Sequence, residues 1–184
     1  MINPASFAHS QTQSKIWLCE QLEPYLPDKS IVAVLGCWNN LQGYMLALRN
    51  KHKYQHILGL DIDSEAIIGA DKLCEGFMLG ADSIIRNEVA DVNYYNLNGY
   101  NILINCSVEH MSNEWFNNAD PNAIICVQTS TVVEQGEPWY ISNPTTTFEE
   151  FEEKFPLSNI MFAGVKSFDY GNLQYDRFML IGKK

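Results

Sequence analysis

IVAVLGCWNNLQGYMLALRNKHKYQHILGLDID, residues 31–63, decides the fold. Its first apolar run, residues 31–35, stops at Gly36 and gives way to a polar turn over 37–40. A helical pattern follows over about 41–50, carrying Gly43, Leu46 and Leu48. A second apolar run, residues 57–60, ends in the acid Asp61. Strand, glycine turn, helix, strand, carboxylate is how an α/β sheet builds a nucleotide site. The glycine lets a ligand approach the backbone, and the acid accepts hydrogen bonds from ribose hydroxyls.

Outward from that unit the alternation continues. Residues 10–26 read as a helix, with Ile16, Trp17, Leu22 and Leu26 at approximate helical spacing and Pro24 and Pro27 marking its end. After Asp61, Ser64 is the predicted N-cap of a helix running to about Cys74. Residues 76–81 read as loop, 84–90 as a weaker third strand, 102–105 as a fourth and 123–128 as a fifth. A short helical turn is expected over 108–116 and irregular chain over 129–147. Thr147 with Glu150 matches a capping box for a short acidic helix whose Phe148, Phe151 and Phe155 face the core. Two last strands, 159–164 and 175–182, flank a turn-rich segment. The expected architecture is α/β: a Rossmann-like three-layer sandwich with a mostly parallel seven-stranded sheet and an antiparallel C-terminal hairpin. Residues 1–184 are read as a single domain, with 1–30 as an N-terminal helical segment and 31–184 as the core.

Composition narrows the function. The formal net charge of −10 disfavours stable binding to nucleic acid. The nearest thing to a basic cluster is Arg49, Lys51, His52 and Lys53 at a helix end, where cations complement the helix dipole. Five scattered cysteines without a C-x-x-C pair argue for reduced thiols in the cytoplasm, and against a disulfide frame or a metal site. Cys106 and Cys126 sit in apolar runs and read as core. No signal peptide and no membrane span is expected.

The order of these motifs resembles the class I S-adenosylmethionine-dependent methyltransferases over nearly the whole chain from Ile31. The resemblance implies that Gly36 approaches the methionine part of the cofactor, S-adenosylmethionine, whose product is S-adenosylhomocysteine. It implies that Asp61 in GLDIDSEAI holds the ribose, with Ile62 beside it, and that Asp91 in EVADV, with Val92, meets the adenine. The segment NCSVEH, from Asn105 through Ser107 to Glu109 and His110, would line the reacting methyl. Its Glu-His pair is similar to that of many small-molecule methyltransferases. The first motif departs from the family. Val34 stands in the place of the usual acid, and Trp38 and Asn40 stand in the later glycine places. The Asn-Pro-Pro-Tyr type motif of amino-methylating nucleic-acid enzymes is absent.

Each candidate has a structural alternative. Asp61 is read as a ribose ligand, since Asp63 and Ser64 are better placed to cap the next helix. Asp91 is either an adenine contact or a turn carboxylate. Trp38 either plugs the core or walls the pocket. His110 is the candidate base. Glu109 either accompanies it or binds the cofactor's ammonium group in place of the missing acid. Trp139 and Tyr140 are candidate lid residues. The resulting expectation is methyl transfer to a small molecule or a protein side chain. The alternatives are a binding or scaffold module on the same fold, non-methyl chemistry with the same cofactor, and NAD binding. The last is disfavoured by the lack of a full G-x-G-x-x-G.

Overall fold

The computed structural model describes residues 1–79, 83–132, 140–171 and 174–184. Seven strands form one sheet: β1 (Ser30–Leu35), β2 (Tyr54–Asp61), β3 (Ile85–Val89), β4 (Ile102–Asn105), β5 (Ile124–Ser130), β6 (Asn159–Asp169) and β7 (Gln174–Lys183). Their spatial order is β3-β2-β1-β4-β5-β7-β6. The first five are parallel, and β7 runs antiparallel to both β5 and β6. The helices are α1 (His9–Leu22), α2 (Leu41–Asn50), α3 (Ser64–Met78), α4 (Glu114–Asn118) and α5 (Phe148–Lys154). The α/β sandwich with its antiparallel C-terminal pair is therefore as expected.

The apolar runs are continuous because the central strands are covered on both faces. Val32, Val34, Ile102, Ile104, Cys126, Met179 and Ile181 face one cluster, into which α1 sends Leu18, Cys19 and Leu22, and α2 sends Leu46. The alternate residues Ala33, Leu35, Leu103, Ile125, Val127, Phe178 and Leu180 face the other, with Trp115, Phe116, Phe151 and Phe155. Phe148 packs there only partly buried. Cys126 is fully buried and Cys106 partly so.

Several predicted boundaries are corrected. α1 stops at Leu22, and Glu23–Tyr25 tightens into a 3₁₀ turn because Pro24 cannot continue the α-helical ladder. β2 begins at Tyr54, three residues earlier than its apolar run, since pairing with β1 does not need apolar side chains at the strand's entry. α3 extends to Met78, beyond the expected end, so its last turn takes up part of the expected loop; residues 80–81 lie outside the described residues. The segment 108–116 divides into a 3₁₀ turn, Val108–His110, and α4. β6 runs to Asp169, as an edge strand paired along its length with β7. At α5, Glu150 N donates to Thr147 Oγ1 at 3.2 Å, but the Glu150 carboxylate accepts from Thr146 N at 2.9 Å, one residue outside the expected box. The candidate basic cluster is neutralised in part: Arg49 pairs with Glu23 at 2.8 Å and Lys53 with Asp28. Among the described residues no helix is long and apolar enough to cross a membrane.

Candidate functional site

The strand order reverses between β1 and β4, so the chain leaves these neighbours in opposite directions and opens a crevice at their carboxyl ends. Gly36, directly after β1, has φ +59°, a left-handed backbone that a side chain would strain. A Cβ there would also lie 2.6 Å from Met111 Cε and 3.3 Å from Ser107 Cβ. Ser107 Oγ donates to Gly36 O at 3.1 Å, tying this turn to the chain after β4. The remainder of the turn is tied to β2. Cys37 N donates to Leu60 O at 2.9 Å, and Trp38 N donates to Asp61 Oδ2 at 2.7 Å.

Trp38 and Asn40, the positions where the resemblance expects glycines, both have φ +48°. The turn thus takes a left-handed backbone at two residues that are not glycine. Buried asparagines hold it. Asn40 Oδ1 caps α2 through Gly43 N at 3.0 Å, and its Nδ2 donates to Asn87 Oδ1 at 2.7 Å. Asn87 donates on to Asp71 at 3.0 Å. Asn39 Oδ1 accepts from Asn3 N at 2.8 Å, which pins the N-terminal segment over the turn. Asn tolerates this backbone because its short side chain finds local hydrogen bonds; for Trp38 it is strained. Trp38 is half-buried, between the core and the wall positions considered for it.

Asp61 is partly exposed at the end of β2. Besides Trp38 N it accepts from Asp63 N at 3.0 Å, and a carboxylate has acceptor capacity for two further donors. Burial pushes its carboxyl above the usual range, while the backbone N–H groups of Asp63 and Trp38 oppose that. Ile62 beside it is 71% exposed, an apolar side chain held at the ligand edge. The cap of α3 is Asp63, whose side chain accepts from Glu65 N at 2.8 Å; Ser64, expected in that role, is the first helical residue. Ala90 N donates to Asp61 O at 2.8 Å, which brings the chain after β3 alongside Asp61. Asp91 follows directly. Its side chain accepts from Asn93 N at 3.0 Å, so it serves the turn as well as standing at the edge. The Val92 side chain is in the core.

After β4, Asn105 is fully buried and organises the turn: its Oδ1 accepts from Ser107 N at 2.9 Å and its Nδ2 lies 3.1 Å from Met111 Sδ. His110 Nδ1 lies 2.9 Å from Tyr140 O. A carbonyl only accepts, so Nδ1 carries a proton, and in the uncharged form of the ring the lone pair is at Nε2. Tyr140 thus orients His110 through its backbone, while its own side chain is exposed; Trp139 lies outside the described residues. Glu109 is not a close partner of the ring. Its Oε1 is 4.0 Å from His110 Nε2, and its Oε2 is buried without a hydrogen-bond partner among the described residues. Burial pushes its carboxyl up, against the opposing charges of Arg177, His110 and Lys15. Lys15 and Arg177 escaped the sequence reading. Arg177 leaves a signal, a charge inside the apolar last strand, whereas nothing local marks Lys15 within α1. Among the described residues no three His, Cys, Asp or Glu side chains converge as a metal site would require.

The carboxyl edge of β1 and β2 thus carries an acid with spare acceptors, an exposed apolar neighbour and a tight glycine turn. Beside Gly36 lies the Met111 side chain.

No family model matches the sequence, and no curated protein matches it. Solved structures do. A SAM dependent methyltransferase from Aquifex aeolicus superposes with a TM-score of 0.62 at 13% identity, over 98% of this chain and 99% of that one. The geranyl diphosphate C-methyltransferase of Streptomyces coelicolor A3(2), solved with Mg2+, geranyl diphosphate and S-adenosyl-L-homocysteine, gives 0.63 at 10% identity over 92% and 77%. The MccD protein gives 0.65 at 11% identity over 91% and 97%. With its strand order and its antiparallel β7, this chain has the class I methyltransferase fold.

Proposed function

We propose that this protein binds S-adenosylmethionine and transfers its methyl group to a small molecule or a protein side chain. The observation that carries the reading is Asp61 at the β1–β4 crevice, stitched to the Gly36 turn through Trp38 N and flanked by exposed Ile62. Asp61 would accept from the ribose hydroxyls, Ile62 would cover the base and Asp91 would meet its amino edge. Gly36, Trp38, Asn105 and Ser107 would shape the methionine end. When bound, the cofactor supplies a methyl activated by its sulfonium. The chain's own task is to align an acceptor with it and to exclude water. His110, with its lone pair at Nε2, is the group placed to take a proton from an acceptor that arrives protonated. The five free thiols support a reducing compartment, and we place the protein in the cytoplasm.

One observation favours a second reading, a binding module that does not transfer. A Gly36 Cβ would meet Met111 Cε at 2.6 Å, so Met111 lies against the turn where the cofactor's methionine part would sit. Calorimetric titration with S-adenosylmethionine, S-adenosylhomocysteine and NAD tests both readings. Saturable binding of the two adenosyl ligands, weakened about tenfold or more by Asp61→Asn, is expected from loss of a charge-assisted contact. Absence of adenosyl-ligand binding overturns the proposal. Binding without transfer of tritiated methyl into fractionated extract selects the second reading.

A further inference from the structure

Above the apolar core on the α1 side of the sheet lies a layer of buried charge. Lys15 comes from α1, Glu109 from the turn after β4, and Arg177 from β7. They are 9%, 4% and 4% exposed. Lys15 feels the charges of Arg177 and Glu109. Yet no ion pair among the described residues joins any two of them. Lys15 Nζ donates instead to the neutral Gln11 Oε1 at 2.9 Å. Arg177 Nε and Glu109 Oε2 are buried with no hydrogen-bond partner among the described residues. In the same layer Gln128 Nε2 donates to Ser14 O at 3.0 Å, and its Oε1 has no partner. Charged groups left short of hydrogen bonds in a dry interior are costly, and a bound ligand is one way to complete them.

The place and the charge say which ligand. Cys106 precedes Ser107, which bonds Gly36 O, and Glu109 precedes His110, so the layer borders the methyl-bearing end of the crevice. Two cations and one acid leave a single positive charge, which a monoanion neutralises and a phosphate dianion overshoots. The planar guanidinium fork matches a carboxylate. We propose that Lys15, Glu109 and Arg177 form an anion pocket under α1 that takes the carboxylate of the methyl acceptor. The word acceptor rests on the methyl-transfer reading; the pocket itself does not.

The test is calorimetry on the full chain, with and without saturating S-adenosylhomocysteine, using butyrate, its neutral isostere butyramide, and inorganic phosphate. Butyrate is expected to bind saturably, with butyramide and phosphate about tenfold weaker or worse. Arg177→Lys, which keeps the charge and loses the fork, and Lys15→Met should each weaken butyrate about tenfold. Lys51→Gln, on the far surface, should not. If Arg177→Lys does not fold, the wild-type comparison and Lys15→Met still decide. Equal binding of butyrate and butyramide, no butyrate binding, or a preference for phosphate overturns the pocket. A second arm compares S-adenosylhomocysteine with 5′-methylthioadenosine, which lacks the amino-acid end. If Arg177→Lys weakens only the former, the pocket holds the cofactor's own carboxylate and the acceptor assignment falls. If the wild-type chain binds neither nucleoside, the methyl-transfer reading fails, and butyrate binding to the free chain still tests the pocket.

Discussion

Replacing Lys15 with methionine should make the free protein more stable at neutral pH. Burial lowers the Lys15 ammonium from its ordinary 10.5 to about 8. At about 1.4 kcal/mol for each tenfold change in proton affinity, that gap is about 3 kcal/mol of penalty on the charged form. Methionine matches the stem without the charge and loses the bond to Gln11, worth about 1 kcal/mol. Glu109 is little affected, because Arg177 and His110 stabilise its charge more than Lys15 does. About 2 kcal/mol of gain remains, or about 1 M in the urea midpoint for an ordinary slope. The sign with pH follows from linkage. Above about 8 the folded protein releases the Lys15 proton while the unfolded chain holds it until 10.5. The wild type therefore regains stability across that window, and its deficit against Lys15→Met closes. Buried thiols act in the opposite sense there: Cys19 is pushed up to about 12, which costs stability as pH rises. The quantity to follow is thus the wild-type-minus-variant difference in urea midpoint at several pH values, in which thiols remote from Lys15, such as Cys37, cancel. A less stable Lys15→Met at neutral pH, or a difference that stays flat to pH 10.5, refutes the reasoning.

Gly36→Ala should lose about 1–2 kcal/mol in urea unfolding for the left-handed backbone at φ +59°. A second change, Met111→Ala, should relieve the contact without restoring that backbone part. Asn40→Ala should cost about 2 kcal/mol, combining a lost cap with a strained φ of +48°. Asn40→Gly, which frees the backbone, should cost distinctly less by the same assay. For Glu109→Gln the direction follows from the raised carboxyl. The folded wild type holds this proton more tightly than the unfolded chain. Its stability from this group is present at low pH and lost as pH rises through the raised value. Thermal melts should show the variant gaining on the wild type as pH rises from the acid range to neutrality.

The β1-turn-α2-β2 unit was legible because its information is local. Apolar runs set the strands, Gly36 set the turn, and Asp61 set the strand end. The later alternation gave the sheet its class, and the capping residue Thr147 gave the start of α5. What escaped was of two kinds. Boundaries shifted where pairing or packing extends an element past its apolar signal, as at Tyr54, Met78 and Asp169. Long-range partners were also beyond reach. Trp38 N on Asp61 spans 23 residues, Ser107 on Gly36 spans 71, and Gln128 on Ser14 spans 114. Trp38 and Asn40 looked like departures from a glycine motif; their backbone dihedrals place them in the glycine conformation.

By itself, then, the sequence determined the α/β class, the glycine turn and the order of acids along the carboxyl edge. Hydrophobic period and turn chemistry act within a few residues, so they can be read in one dimension. Only the tertiary structure decided what faces what. It set Glu109 Oε1 4.0 Å from His110 Nε2 and within reach of the charges of Lys15 and Arg177, drawn from opposite ends of the chain. It also set Met111 against Gly36. Burial and electrostatics are properties of the assembled layers, and no local pattern carries them.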